Sequence, residues 1–488
     1  MKTLLQWLSG SRRRRSNTKR DVLEQPLLGL SAHPADTITV RDLMAGVLVS
    51  GATGAGKTSG SGAFLAKAML RAGFGGIVLC CKRDEADLWR KYCTETNRQD
   101  SLIVFSRESP HRFNFLNYEF RRTDRGGGQT ENIVTLFTEV IEAVERREGQ
   151  GGRSDPYWDR ALRQLLRSAV DVLAASRDHL SVTEIYDLIT SAPNDPEQLQ
   201  SESWQEASFC LRSIRQGEAK AKTEQEKHDF GLSSKYWLTE FPRLSDRTRS
   251  IVVSCFTGLA DAIMRGTIHQ LFGTSTTIVP EFTFDGAVIV LDLPIKEFDQ
   301  VGQVAQLIFK LLWQRAVERR DIGKYPRPVF MWADECQWFL SRTDPLFQTT
   351  ARSARCASVF LTQNLGNLHA ALGKSATDTL TGNLNTKIIH NNTDIGTNQW
   401  CSDLFSKSFK YRTTSGVSTR DTADFGHGSS SHNTGAHEAL EYEVLPVEFT
   451  RLRTGGPQNE KLVDAYVFQG SRTFSSGKNF LRVTFKQG

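Results

Sequence analysis

The chain is 488 residues long, 39% hydrophobic and 24% charged, with 61 lysines and arginines against 55 acidic residues and a formal net charge of +6. These values exclude a disordered, collagen-like or disulfide-stapled chain, and the charge is too mild to mark a nucleic-acid binder by itself. The length accommodates two or three domains, each able to bury its own core.

Residues 1–36 read as a basic N-terminal arm. Met1 to Leu8 is amphipathic but short, and it lacks the apolar core and small-residue cleavage site of a signal peptide. Ser11 to Arg20, with Arg12 to Arg15 at its heart, holds six positive charges and no acidic residue. Such a run predicts a solvated, mobile arm, either with no specific partner or attracted to nucleic acid or to an anionic membrane surface. No stretch of the sequence approaches the ~20 apolar residues of a membrane span. The eight cysteines form no CxxC pair, and several lie in apolar runs. That usage belongs to buried thiols in a reducing compartment, so the expected location is the cytoplasm.

Thr37 to Arg41 and Val47 to Ser50 are short strand candidates. The next eight residues, Gly51, Ala52, Thr53, Gly54, Ala55, Gly56, Lys57 and Thr58, have the form GxxxxGK[ST]. A helix-compatible stretch, Ser59 to Arg71, follows. A strand that stops at a glycine-rich loop and turns into a helix leaves several N–H groups aimed at one spot, where the helix end adds partial positive charge. A polyphosphate is held there. In such a loop Lys57 reaches the β- and γ-phosphates of ATP, and the Thr58 hydroxyl takes one position on Mg²⁺.

Gly76 to Cys81 and Leu102 to Phe105 are continuous apolar runs that suit buried parallel strands. Strands alternating with helices at this spacing predict an α/β sheet with ligands at the strand C-terminal ends. After glycine-rich punctuation at Gly126 to Gly128 and Gly149 to Gly152, the pattern turns helical for over a hundred residues. Trp158, Leu162, Leu165, Leu166, Ala169 and Leu173 share one helical face. Residues 216–228 are almost wholly polar and read as an exposed helix or loop. The strand pattern returns with Ala287 to Leu293, followed by a long helix from Val301 to Arg320. The reading is a helical module, residues 156–270, inserted into a nucleotide-binding domain whose two parts are residues 37–155 and 271–488.

Val329 to Ala333 is an apolar run that ends in Asp334 and Glu335. In a Walker B element of this form, Asp334 holds Mg²⁺ through its water shell. Glu335 polarises the water that attacks the γ-phosphate, because hydrolysis needs a positioned base beside an in-line nucleophile. A further strand, Ala357 to Thr362, ends at Gln363, whose amide can hydrogen-bond the γ-phosphate or that water. Arg352 and Arg355 precede this strand on an expected helix, either one a solvated side chain or a finger reaching a neighbour's nucleotide. Between Ser406 and Glu438 the sequence is rich in Ser, Thr, Gly and His. His427, His432 and His437 match no metal-ligand spacing, and a flexible loop is expected.

In this order the motifs resemble the coupling-protein ATPases of type IV secretion and conjugation, the TraG/TraD group, within the FtsK/HerA class of motors. The residues that carry the resemblance are Gly51 to Thr58, Ile77 to Lys82, Asn114 to Leu116, Tyr157 and Trp158. Ala333 to Glu335, the spacing from Arg352 to Gln363, and Gly382 to Ile388 complete it. The likeness runs from about residue 37 to the C-terminus. It implies an α/β, RecA-like P-loop NTPase domain with an inserted all-α domain that receives the substrate. It further implies a homo-hexameric ring, ATP hydrolysis at subunit interfaces, and DNA driven through a central channel. Arg352 stands where the family places its trans-acting arginine, and Gln363 where it places its sensing glutamine.

Two departures qualify the resemblance. The group usually carries an N-terminal pair of transmembrane helices, which this sequence does not show. A membrane-anchored or secretion-system partner would then hold it peripherally at the inner membrane. The family's Asp-Pro-Lys after the second strand reads Cys80-Cys81-Lys82, leaving Lys82 as a phosphate- or interface-contact candidate. Three readings stay open at this level: a DNA translocase of the coupling-protein type, a soluble HerA-like ATPase in DNA processing or defence, and a nucleotide-gated adaptor that recruits protein cargo.

Overall fold

The computed structural model describes residues 22–124, 126–147, 156–221, 223–420, 429–470 and 472–488. The arginine run at 12–15, the glycines at 149–152 and His427 lie outside the described residues. In chain order the strands are β1 (Pro26–Gly29), β2 (Thr37–Thr39), β3 (Val47–Ser50), β4 (Gly75–Leu79), β5 (Leu102–Ser106), β6 (Val288–Asp292) and β7 (Val329–Ala333). They continue as β8 (Cys356–Thr362), β9 (Thr386–Ile389), β10 (Lys407–Arg420), β11 (Ser429–Tyr442), β12 (Leu462–Gln469) and β13 (Phe480–Lys486).

A single sheet of nine strands, in the order β13-β12-β9-β3-β8-β7-β4-β6-β5, organises the molecule. From β9 to β5 every pairing is parallel, and β12 joins β9 antiparallel. The inner strands β4, β6, β7 and β8 are buried on both faces, which is why they read as nearly unbroken apolar runs. Their side chains alternate between two cores. Ile77 and Leu79 of β4, with Val329 and Met331 of β7, enter one core. Val78, Phe330 and Trp332 enter the other, where Trp89 from the helix Glu85–Glu95 stacks on Phe330 with centroids 5.4 Å apart.

Between β5 and β6 the described chain is helical, the longest elements being Thr130–Arg147, Pro156–Ser176 and Asp246–Met264. Leu162, Leu165, Leu166, Ala169 and Leu173 form the buried stripe of Pro156–Ser176. Phe105 of β5 joins this region to the sheet, its ring 5.3 Å from that of Phe272 on the helix Gly266–Phe272. The apolar core of the helices is therefore continuous with one face of the sheet. The polar 216–228 segment forms the end of one helix, Phe209–Lys220, and the start of another, Glu224–Lys235. Among the described residues, no single helix is long and apolar enough to cross a membrane.

Two local expectations are corrected. The strand expected over Thr37 to Arg41 stops at Thr39 and a helix begins at Val40. Thr39 and Asp42 form a reciprocal capping box there, which outweighs the β-preference of the valine. The loop expected over residues 406–438 is instead a two-stranded ribbon, β10 paired with β11 from Lys407↔Tyr442 to Arg420↔Ser429. Phe409, Tyr411, Val417 and Leu440 are exposed on it. With no buried side chain among its described residues, the ribbon lacks the sequence contrast by which strands are recognised.

Candidate nucleotide-binding and hydrolysis site

The phosphate loop leaves β3 at the centre of the sheet, between β8 and β9. Gly56 has φ of +82°, and a Cβ there would stand 2.7 Å from Val463, so a side chain is excluded on both counts. The loop is tied down from behind. Ala52 donates its N–H to the Asn391 carbonyl at 2.8 Å, and the Ser61 hydroxyl meets His390 Nε2 at 2.7 Å. Lys57 is buried and donates to the carbonyls of Gly51 at 2.7 Å and Ala52 at 3.2 Å. Burial pulls its ammonium below the ordinary lysine value, partly countered by the charges of Glu335 and Asp334. No intramolecular partner satisfies the N–H groups of Gly56, Lys57 and Thr58 among the described residues. Unpaired donors converging at a helix start suit a bound polyphosphate.

Asp334 and Glu335 follow the end of β7, and Gln363 follows the end of β8. Because β8 lies between β3 and β7, the amide of Gln363 falls between the phosphate loop and the two acids. The Thr58 hydroxyl donates to Asp334 Oδ2 at 2.7 Å. A hydroxyl and a carboxylate so placed, beside unpaired N–H donors, form a hard-oxygen set that fits Mg²⁺. Thr58 and Asp334 would hold the ion, and it would supply charge neutralisation at the phosphates.

Glu335 adopts a left-handed backbone conformation, with φ of 49° and ψ of 50°. A non-glycine residue there is strained by roughly 1–3 kcal/mol, which the surrounding bonds must hold. Its carboxylate accepts from Gln337 Nε2 at 3.0 Å and from Gln363 Nε2 at 3.2 Å, and it pairs with Lys82 Nζ at 3.6 Å. Burial pushes the Glu335 carboxyl up, but these two hydrogen bonds and the charges of Lys82 and Lys57 outweigh it and leave the group below its ordinary value. An ionised, oriented carboxylate results, the form a general base requires.

The structure thus brings together Lys57, Thr58, Asp334, Glu335, Gln363 and Lys82. It does not bring Arg352 to them. The helix Thr343–Ala351 ends just before Arg352, which is exposed at the opposite end of β8 from Gln363. The seven residues of β8 span roughly 20 Å, beyond the reach of an arginine side chain. Arg355 is not on the helix: its φ is +49° and its guanidinium donates to the Pro326 carbonyl at 2.8 Å, a structural role. Sequence reasoning missed Gln337, whose place three residues after Asp334 carries no recognisable pattern. It also missed Asn392, whose amide donates to the Gln363 carbonyl at 2.9 Å.

Residues 328–448 match the family model described as the TraM recognition site of TraD and TraG. The chain resembles the TraG/TraD coupling proteins. Among solved structures it is similar to the bacterial conjugative coupling protein TrwB, at 16% identity and a TM-score of 0.57, over 96% of this chain and 91% of that one. The plasmid coupling protein TrwB with the ATP analogue ADPNP matches at 17% identity and a TM-score of 0.57, over 94% and 90% of the two chains. TrwB with ADP and Mg²⁺ matches at 15% and 0.54, over 93% and 87%. At these identities the likeness establishes the coupling-protein fold: an α/β, RecA-like P-loop domain with a helical domain. No curated protein matches the chain.

Proposed function

We propose that this chain is an ATP-hydrolysing DNA translocase of the coupling-protein type that works as a homo-hexameric ring. The observation that carries the reading is the junction of Thr58 with Asp334 and of Gln363 with Glu335 at the C-terminal edge of one sheet. The loop N–H groups and Lys57 bind the phosphates of ATP, with Gly51, Ala52, Thr53, Gly54, Ala55 and Gly56 shaping the cradle. Thr58 and Asp334 hold Mg²⁺, Glu335 takes the proton of the attacking water, and Gln363 orients that water.

Arg352 serves the nucleotide of the adjacent subunit. Its distance from its own phosphate loop supports this, and a ring built head to tail places one subunit's exposed arginine against the next subunit's site. In this reading residues 37–155 and 271–488 form the motor, residues 156–270 form the inserted domain, and residues 1–36 form an arm. A TraM-type protein is the partner proposed for the matched segment, and a membrane-anchored or secretion-system protein would place the ring at the cytoplasmic face of the inner membrane.

Displacement of streptavidin from biotinylated DNA tests the proposal. ATP-dependent displacement by nucleotide-assembled protein, absent with a non-hydrolysable analogue, is expected. Turnover with no displacement on single- or double-stranded DNA would contradict it.

A further inference from the structure

The helical segment Ile295–Arg319 is interrupted at Asp299, and from Gly302 to Gln314 it is buried throughout, yet one of its faces is polar. Gln303, Gln306, Lys310 and Gln314 recur at spacings of three, four and four, so they form a single stripe along it. All four are buried. Gln306 holds the Cys80 peptide from both sides, accepting from its N–H at 2.7 Å and donating to its carbonyl at 2.9 Å. Gln303 donates to the Trp338 carbonyl at 2.7 Å. Lys310 donates to the Phe339 carbonyl at 2.7 Å and to Asp344 Oδ2 at 2.6 Å, with neither side chain of the ion pair more than 1% exposed. Gln314 donates to the other oxygen, Asp344 Oδ1, at 2.8 Å, while Asp344 Oδ2 also accepts from the Ser341 N–H at 2.7 Å.

These anchor points are not scattered. Cys80 lies two residues before Lys82, which pairs with Glu335. Trp338 and Phe339 close the turn that begins at Glu335, whose carbonyl accepts from the Trp338 N–H at 3.1 Å. Asp344 sits in the first turn of the helix that ends just before Arg352. The stripe therefore clamps the turn behind the base and the helix behind the arginine to one rigid rod.

We infer that Lys310 and Asp344 are positioning residues that couple the two catalytic groups of one subunit: Glu335 facing its own nucleotide and Arg352 facing its neighbour's. Neither touches substrate. A rearrangement of the Glu335 turn on nucleotide binding pulls the Phe339 carbonyl on Lys310, and through Asp344 it moves the Arg352 helix. Occupancy of one site is thereby reported to the next around the ring. A buried ion pair suits such a link, because a displaced partner is left uncompensated in a low dielectric and the elements prefer to shift together. The inference rests on the ring reading for the role of Arg352.

The test uses full-length protein carrying Lys310→Met with Asp344→Asn, which removes both charges while the introduced amide oxygen can still accept from the Ser341 N–H. Three readouts are expected. Binding of a fluorescent ADP analogue and KM for ATP stay within about twofold of wild type, while kcat falls at least about tenfold, as for a misplaced catalytic group. Arg352→Ala, severe in wild type, costs less than a tenth as much in this background, since the two changes interrupt one device. In hydrogen exchange, added nucleotide protects residues 343–351 of wild type and leaves them unchanged in the variant. Wild-type kcat in the double variant, an undiminished effect of Arg352→Ala, or equal protection would each overturn the coupling. If the double variant does not fold, Gln314→Met, which removes the bond to Asp344 Oδ1 and a weak 3.7 Å bond to Met331 Sδ, replaces it: a threefold loss of kcat at unchanged KM is expected, and no loss overturns the coupling. A wild-type chain without turnover would refute the hydrolysis reading, and the exchange experiment would still decide the coupling.

Discussion

Thr58 and Asp334, 276 positions apart in sequence, meet through a 2.7 Å hydrogen bond from the threonine hydroxyl to the aspartate carboxylate. The contact joins the end of the phosphate loop to the acid that follows β7, across the intervening strand β8. It fixes where a phosphate-bound metal ion would be shared between the two elements.

Replacing either partner should weaken nucleotide binding only when magnesium is present. We expect Thr58→Val and Asp334→Asn to lose about tenfold in affinity for a fluorescent ADP analogue with Mg²⁺, roughly 1.4 kcal/mol. In buffer with a chelator they should match wild type. Equal loss in both buffers would assign the pair a structural role instead.

Glu335→Gln keeps the shape of the side chain but offers one acceptor oxygen in place of two, loses the pairing with Lys82 and cannot accept a proton. Steady-state turnover should fall by at least about a hundredfold, the usual contribution of a general base. Nucleotide affinity should stay within twofold, because Lys57 and the loop donors are untouched. A variant that retained a tenth of the activity would shift the base to another group.

The position of Arg352 gives a complementation test. Arg352→Ala should bind nucleotide normally and lose about a thousandfold or more in turnover, the scale seen for arginine fingers. Lys57→Ala should be inactive because it cannot hold the phosphates. Mixing the two should restore activity, since intact arginines then face intact sites. Inactive mixed assemblies would argue that Arg352 does not act across the interface.

Acid should loosen the phosphate loop through His390. Burial, with the Lys57 charge beside it, pushes this imidazole from 6.5 down to about 3. The folded value lies below the unfolded one, so the neutral ring stabilises the fold fully above about pH 6.5. That contribution is lost progressively as pH falls from there towards about 3. Thermal melts between pH 7.5 and pH 4.5 should fall more steeply for wild type than for His390→Gln. Parallel curves would show that another group governs acid unfolding.

Much of the site was legible because its chemistry demands local patterns. The loop at Gly51 to Thr58, the acids ending an apolar strand and the amide of Gln363 each announce themselves within a few residues. The inner parallel strands β4, β6, β7 and β8 were legible for a similar reason, since burial on both faces leaves them mostly apolar. The polar stripe of Gln303, Gln306, Lys310 and Gln314 was not, because polar residues on a helix ordinarily mark its wet side. Only the tertiary structure shows that their partners include backbone peptide groups and Asp344. Arg355 misled for the opposite reason: a cation expected on an exposed helix turned out to be engaged with the Pro326 carbonyl. The ribbon of β10 and β11 has no buried side chain among its described residues to set its period.

The central claim is that nucleotide hydrolysis here is harnessed to DNA. ATP turnover of the purified chain, with and without single- and double-stranded DNA and with Glu335→Gln as the blank, tests it most directly. The account predicts turnover that DNA stimulates several-fold and that the Glu335 variant abolishes. Nucleotide binding with turnover indifferent to either form of DNA would contradict it.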